Sequence, residues 1–287
     1  MSDRKKNKPR RWPPASQRQL RQRFRTYRAM RREQRPRRRI PRTAVPSFFT
    51  LMNLFSGFLA ITQAHEGNFD AACWLILLAG FFDALDGMMA RLTNGTSLFG
   101  VELDSLADAV SFGAAPAFLV WTFGLHNFGI VGLLIASLPA ICGVVRLARF
   151  NLEFDGEKKN FFSGLPIPAQ AIFLAVLVLN FNHPDWFSMP GDNGMALLIP
   201  IVVLLSLLMI SSIPFDAMPT PTPSFLRAHP IRSSLFAIGG VVIIIFAFTS
   251  HPHLGILLVS GVYLLIGIGR AVVAFISDVL NTPIETS

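Results

Sequence analysis

Between residues 44 and 276 the chain offers eight apolar segments of roughly spanning length, at about 44–63, 70–92, 101–124, 128–149, 165–182, 194–212, 233–250 and 254–276. That one feature leaves few folds open. In hydrocarbon every backbone N–H and C=O must be satisfied within the protein, so a span is either a helix or a strand of a closed barrel, and runs this long without alternation are helices. The expected class is an all-α integral membrane protein with about eight transmembrane helices. A composition of 52% hydrophobic and only 15% charged residues agrees.

Charge is divided as sharply as hydropathy. Eighteen of the 26 Lys and Arg precede residue 43, with only Asp3 and Glu33 as acids there, and the rest of the chain is net acidic. Leu20, Phe24, Tyr27 and Met30 recur at helical spacing among the arginines, which suits either a disordered cytoplasmic extension or a helix lying on an anionic leaflet. Attraction to phosphate alone carries no specificity, so nucleic acid is not expected as a partner. The basic region is too long for a signal peptide, and the apolar run behind it is of spanning length. With the tail inside, the connections on its side contain Arg91, Arg146, Arg149, Lys158, Lys159, Arg227 and Arg232, whereas those on the far side have no Lys or Arg. The positive-inside rule therefore puts both termini in the cytoplasm. The expected domains are a basic tail at 1–43, a membrane-embedded domain at 44–276 and a short cytoplasmic tail at 277–287. Cys73 and Cys142 sit in apolar runs without nearby His and read as packing residues.

Into this apolar chain the stretch 83–108 introduces four acids, Asp83, Asp86, Asp104 and Asp108. Ionised groups at membrane depth cost several kcal/mol each and mark a pathway or a bound cation. Asp83 and Asp86 are three apart and Asp104 and Asp108 four apart, so each pair shares a helix face. A reversal at Thr93-Asn94-Gly95-Thr96 sets Asp83 opposite Asp108, Asp86 opposite Asp104, and Ala90 opposite Gly100, small residues that would let the two backbones approach closely. Four converging carboxylates need counter-charge, and hard divalent cations with open positions for phosphate oxygens are the natural answer. The turn, and with it the site, falls on the cytoplasmic side.

With its spacing written out, the stretch is Asp83-x2-Asp86-Gly87-x2-Ala90-Arg91-x8-Gly100-x3-Asp104-x3-Asp108, and it resembles the signature of the CDP-alcohol phosphatidyltransferase family at every fixed position. Members of that family move a phosphatidyl group from a CDP-linked lipid to an alcohol and release CMP, with Mg2+ or Mn2+ held by the aspartates. The resemblance implies two such ions held by Asp83, Asp86, Asp104 and Asp108, with Asp108 also the general base. It implies a CDP-diacylglycerol site bordered by Asn53, Gly87, Ala90, Arg91 and Gly100, Gly87 leaving room for the cytidine phosphates and Arg91 pairing with a phosphate oxygen. It also implies a homodimer. Without it, Asn53 is a polar residue in a spanning helix that needs a partner, and Thr50 one turn away bonds back to its own helix.

Arg146 and Arg149 share a face at the cytoplasmic end of the fourth segment, where two arginines grip a phosphate or carboxylate or merely anchor topology. The string Arg146-Leu147-Ala148-Arg149-Phe150-Asn151, and Phe162-Ser163-Gly164-Leu165-Pro166-Ile167-Pro168-Ala169 after it, resemble the phosphatidylserine synthase branch of the family. That branch implies L-serine as acceptor, with Arg146 or Arg149 for its carboxylate, and a bacterial inner membrane as the location. Asp216 departs from the branch, which often has a basic residue there, so Ser211 and Ser212 read as helix-end residues. The same chemistry with glycerol phosphate, inositol phosphate or choline is the nearest alternative. A prenyltransferase would carry its acidic motifs far apart, and a transporter with an acidic relay would depend on a proton gradient and release no CMP. None of the six histidines is given a catalytic role.

Overall fold

The computed structural model describes residues 44–93, 98–153, 162–183, 196–211, 213–215, 238–241 and 252–281. The basic tail with its expected surface helix, the hairpin turn at 94–97 and most of the expected seventh segment lie outside them, as do Ser212 and Asp216. Helix α1 (Ala44–His65) reverses into α2 (Phe69–Thr93) through a tight turn in which Gly67 takes φ 80° and Asn68 N–H bonds Gln63 O at 2.9 Å. This pair has the most extensive helix contact among the described residues. Its seam is lined by Ala60 and Ala64 on one side and Ala72, Cys73, Ile76 and Ala79 on the other, all buried. Small side chains at one-turn spacing bring two backbones together where lipid offers no hydrophobic drive for association. Cys73 and Cys142 are buried and unbridged, as packing residues should be.

The next rod is made of three pieces. Helix α3 (Leu98–Asp108) widens into a π-helical stretch at Ala109–Ala114 and resumes as α4 (Ala115–Phe123). Pro116 supplies a cause: it has no N–H to give Phe112 O, and its ring would collide with that carbonyl in a regular α-helix. Phe112, inside the π-helical stretch, is fully buried. After a short 3-10 turn, Gly129 at φ 58° starts α5 (Gly129–Glu153), which contains Pro139 and passes Gly113 closely at Ala140.

Helices α6 (Ile167–Asn182), α7 (Leu198–Ile210) and α8 (Pro252–Asn281) complete the bundle. Hydropathy placed spanning segments at 165–182 and 194–212, but α6 has 16 residues and α7 13, roughly 24 and 20 Å of rise against a hydrocarbon core of about 30 Å. Among the described residues four helical runs are long and apolar enough to cross a membrane, and the other apolar helices are shorter. The shortening has a local origin. Before α6 the chain is extended: β1 (Phe162–Ser163) pairs antiparallel with β2 (Pro214–Phe215), a two-residue ladder in a fold otherwise helical. Gly164 at φ 85° donates to Ile213 O at 2.8 Å, and a Cβ there would run into Met209 O. Pro166 then stands as the N-cap of α6. At the other end of the chain, α8 continues to Asn281, past the segment end expected at 276.

Large apolar side chains also face outward, among them Phe48, Phe55, Phe58, Phe81, Leu106, Ile130, Leu134 and Leu265. A water-soluble domain rarely exposes so much contiguous apolar surface, and a lipid-facing bundle requires it.

Candidate active site

The acids come together from two helices. Carboxylate oxygens of Asp83 on α2 and of Asp104 and Asp108 on α3 all lie within 4.8 Å of one another. Asp86, one turn beyond Asp83, is within electrostatic range of Asp104 and of Asp108. Asp86 and Asp108 are 7% and 9% exposed, so the group is largely removed from solvent. Asp86 Oδ2 and Asp104 Oδ1 are buried with no hydrogen-bond partner among the described residues. Like charges this close do not all persist without a cation, and an orphaned buried oxygen costs one to several kcal/mol. Hard oxygen donors converging with free lone pairs fit a divalent metal.

Along their described lengths α2 and α3 make little contact with each other, and α1 packs against both. The carboxylates thus meet by side-chain reach across a gap that α1 closes from the side. Gly87, Ala90 and Gly100 are on the expected helices, and the side chain of Arg91 lies outside what the structure describes.

Helix α1 contributes more than a wall. Asn53 is fully buried and donates from Nδ2 to Asp108 Oδ1 at 3.1 Å. Thr50, one turn earlier, is a hydrogen-bond donor to Asp86, as is the Gly87 amide. The reading of Thr50 as bonding back to its own helix gives way to a role on the acid. Ser111 Oγ donates to Asn53 O at 2.9 Å, and Gly57, one turn past Asn53, leaves the space that Ser111 fills. Ser111 was not singled out from sequence, and Gly57 stood out on the first segment only without a role. The available signal was position, since each stands one turn beyond a motif residue, and Pro116 further along announces the widened helix that delivers Ser111 to α1.

The two arginines part company. Arg146 is 8% exposed and lies within electrostatic range of Asp108 and of Tyr263 on α8. Arg149 donates from Nη1 to Ile210 O at 3.0 Å, closing the C-terminal end of α7. Ser211 joins it there, with Oγ bonding Leu208 O at 2.7 Å, a helix-end role as expected. Asn151 Nδ2 donates to Ser105 Oγ at 3.1 Å, tying the end of α5 beside the acids on α3. On the lipid-facing side of α1, Leu51, Leu54, Phe55 and Phe58 form an apolar groove with Val110, two residues beyond Asp108.

Residues 43–214 match the CDP-alcohol phosphatidyltransferase family. A CDP-diacylglycerol–serine O-phosphatidyltransferase of Helicobacter pylori (strain J99) is 35% identical over 236 residues, covering 82% of this chain and 94% of the relative. An archaetidylserine synthase of Methanothermobacter thermautotrophicus is 37% identical over 174 residues, covering 60% and 69%. A CDP-diacylglycerol–serine O-phosphatidyltransferase of Bacillus subtilis is 38% identical over 138 residues, covering 48% and 77%.

Proposed function

The chain belongs to the CDP-alcohol phosphatidyltransferase family, and on that premise we propose that it transfers the phosphatidyl group of CDP-diacylglycerol to the hydroxyl of L-serine, giving phosphatidylserine and CMP. The observation that carries this reading is the meeting of Asp83, Asp104 and Asp108 within one ion's reach, clamped by Asn53, in a helical membrane bundle. The relatives named above support the acceptor, because serine recurs in their names while the lipid differs.

The four aspartates would hold two divalent ions, Mg2+ or Mn2+, which when bound neutralise the diphosphate and stabilise the leaving CMP. The residues of the chain do the rest. Gly87 lets the cytidine phosphates approach the backbone of α2, with Ala90 and Gly100 bordering the same space and Arg91 pairing with a phosphate oxygen. Asn53 occupies one oxygen of Asp108 and fixes its orientation, leaving the other to accept the serine hydroxyl proton. As that proton leaves, the serine oxygen bonds the phosphorus that carries the diacylglycerol, and the bond from that phosphorus to CMP breaks. Arg146, buried near Asp108, holds the serine carboxylate. The acyl chains run along the groove of Leu51, Leu54, Phe55, Phe58 and Val110, which is apolar and lies on the helix that also carries Asn53.

The protein works in a bacterial inner membrane as a homodimer, with both termini and the site on the cytoplasmic side and the basic tail near anionic lipid. The test is CMP release by the purified protein with CDP-diacylglycerol, divalent metal and one alcohol at a time. Serine alone should support it; consumption of glycerol phosphate or inositol phosphate with serine ignored would overturn the acceptor.

A further inference from the structure

Helices α5, α6 and α7 converge at Gly143, where an added Cβ would stand 3.4 Å from Met209 Cε and 3.8 Å from Ile167 Cδ1. One turn from that junction each helix carries a buried polar residue: Arg146 on α5, Gln170 on α6 and Ser206 on α7, exposed by 8%, 0% and 1%. Arg146 Nε, Ser206 Oγ and both Oε1 and Nε2 of Gln170 have no hydrogen-bond partner among the described residues. Gln170 is the extreme case. A fully buried amide with neither end satisfied loses several kcal/mol against an apolar side chain of the same shape, so packing gives no reason for it.

Orientation supplies one. The C-terminal ends of α5 and α7 lie beside the N-terminal end of α6, since Arg149 Nη1 bonds Ile210 O and Leu165 N–H bonds Leu208 O. Side chains lean toward the N-terminus of their own helix. Arg146 therefore leans away from that shared end and Gln170 leans toward it, each extending to the level of the other. Arg146 is in turn within electrostatic range of Asp108. The cluster thus adjoins the acids without belonging to them.

We propose that Gln170 is a specificity-determining residue that grips the amino-acid end of the acceptor, its Oε1 accepting from the α-ammonium and its Nε2 donating to the α-carboxylate that Arg146 also holds. An amide offers one acceptor and one donor group on a single plane, so it can pair with the ammonium and the carboxylate of a zwitterion at once, whereas an ionised phosphate offers no donor to its oxygen. The inference rests on the serine reading above and narrows it to one residue.

The experiment compares full-length wild type with Gln170→Leu and the near-isosteric Gln170→Met, reading CMP release against serine and against CDP-diacylglycerol, with Tm measured with and without serine. For both variants KM for serine should rise about tenfold or more, the size of one lost hydrogen bond to a charged group. KM for CDP-diacylglycerol should stay put, Tm should hold or rise, and the upward shift of Tm by serine should shrink. An unchanged serine KM in Gln170→Met with serine as the wild-type substrate overturns the Gln170 assignment alone. So does a fall in Tm with both KM values rising, because that is what a packing role predicts. Wild-type use of a non-amino-acid alcohol in place of serine removes both this inference and the reading beneath it.

Discussion

Two polar clusters sit at opposite ends of α2, and they are built on opposite terms. At its start, Asp70 accepts from Asn182 Nδ2 at 2.8 Å through one oxygen and lies 3.0 Å from His183 Nε2 through the other, while His183 stacks on His253. The Asp70 and His183 side chains are nearly half exposed. Toward its other end, Asp83 and Asp86 join Asp104 and Asp108, with Asp86 and Asp108 buried, Asp83 and Asp104 partly so, and oxygens of Asp86 and Asp104 left unpaired among the described residues. The first cluster closes its hydrogen bonds within the protein and water finishes the job. The second is held open by the fold, which makes it the costly one and the one fit to take a ligand. Helix α1 makes the difference, packing against both acid-bearing helices and offering the acids Asn53 and Thr50 as donors.

The sharpest way to break this contrast is to neutralise one buried acid. Asp108→Asn should lower CMP release by about a thousandfold or more, the scale of a lost general base that is also a metal ligand. Its Tm in detergent should not fall, because an isosteric amide removes one of several crowded charges. Near-normal turnover would strip Asp108 of its role, and unfolding would mean that the cluster is structural after all. Removing divalent metal with a chelator should silence the wild type as completely, with activity returning on adding Mg2+ or Mn2+. A rise in Tm on adding metal back should be present in the wild type and lost in Asp108→Asn.

The acids and the α2–α3 reversal were legible in sequence because charge in an apolar run is loud and because period 3.6 converts spacing into a face. What stayed hidden depends on contacts between helices far apart in the chain. Nothing in the local pattern says that Asn53 meets Asp108, 55 positions away, or that Ser111 fills the notch at Gly57. The place of α1 has the same root: two helices read as a hairpin alone carry no sign of the third helix that packs against both. Hydropathy likewise overran the start of α6, because Leu165-Pro166 is as apolar as a helix but is held extended by the bond of Leu165 to Leu208 and of Gly164 before it to Ile213.

Asn53 is the next largest lever. Asn53→Ala removes the donor that orients Asp108 and should cost about 10- to 100-fold in turnover, the usual penalty for losing a group that positions a metal ligand. Asn53→Asp should be worse, since it adds a further acid to a crowded site. If Asn53→Ala turned over normally, the clamp would be packing only. Gly57→Val acts one step further out by driving a side chain into Ser111, and should cost about 1–3 kcal/mol of stability with a smaller loss of turnover.

The smallest effect belongs to the satisfied cluster and closes the comparison. Asp70→Asn keeps a hydrogen-bonding oxygen for Asn182 and removes only the charge beside His183, both side chains being nearly half exposed. Exposed pairs contribute at most about 1 kcal/mol, so Tm should move by a few degrees or less and CMP release should stay within about twofold of wild type. The same Asp→Asn chemistry at Asp108 and at Asp70, two positions joined through α2 and its packing, should therefore differ by orders of magnitude in rate while both proteins stay folded. Should Asp70→Asn instead depress turnover strongly, the outer cluster would be coupled to the acids through α2, and the division between a satisfied end and a reserved end would not hold.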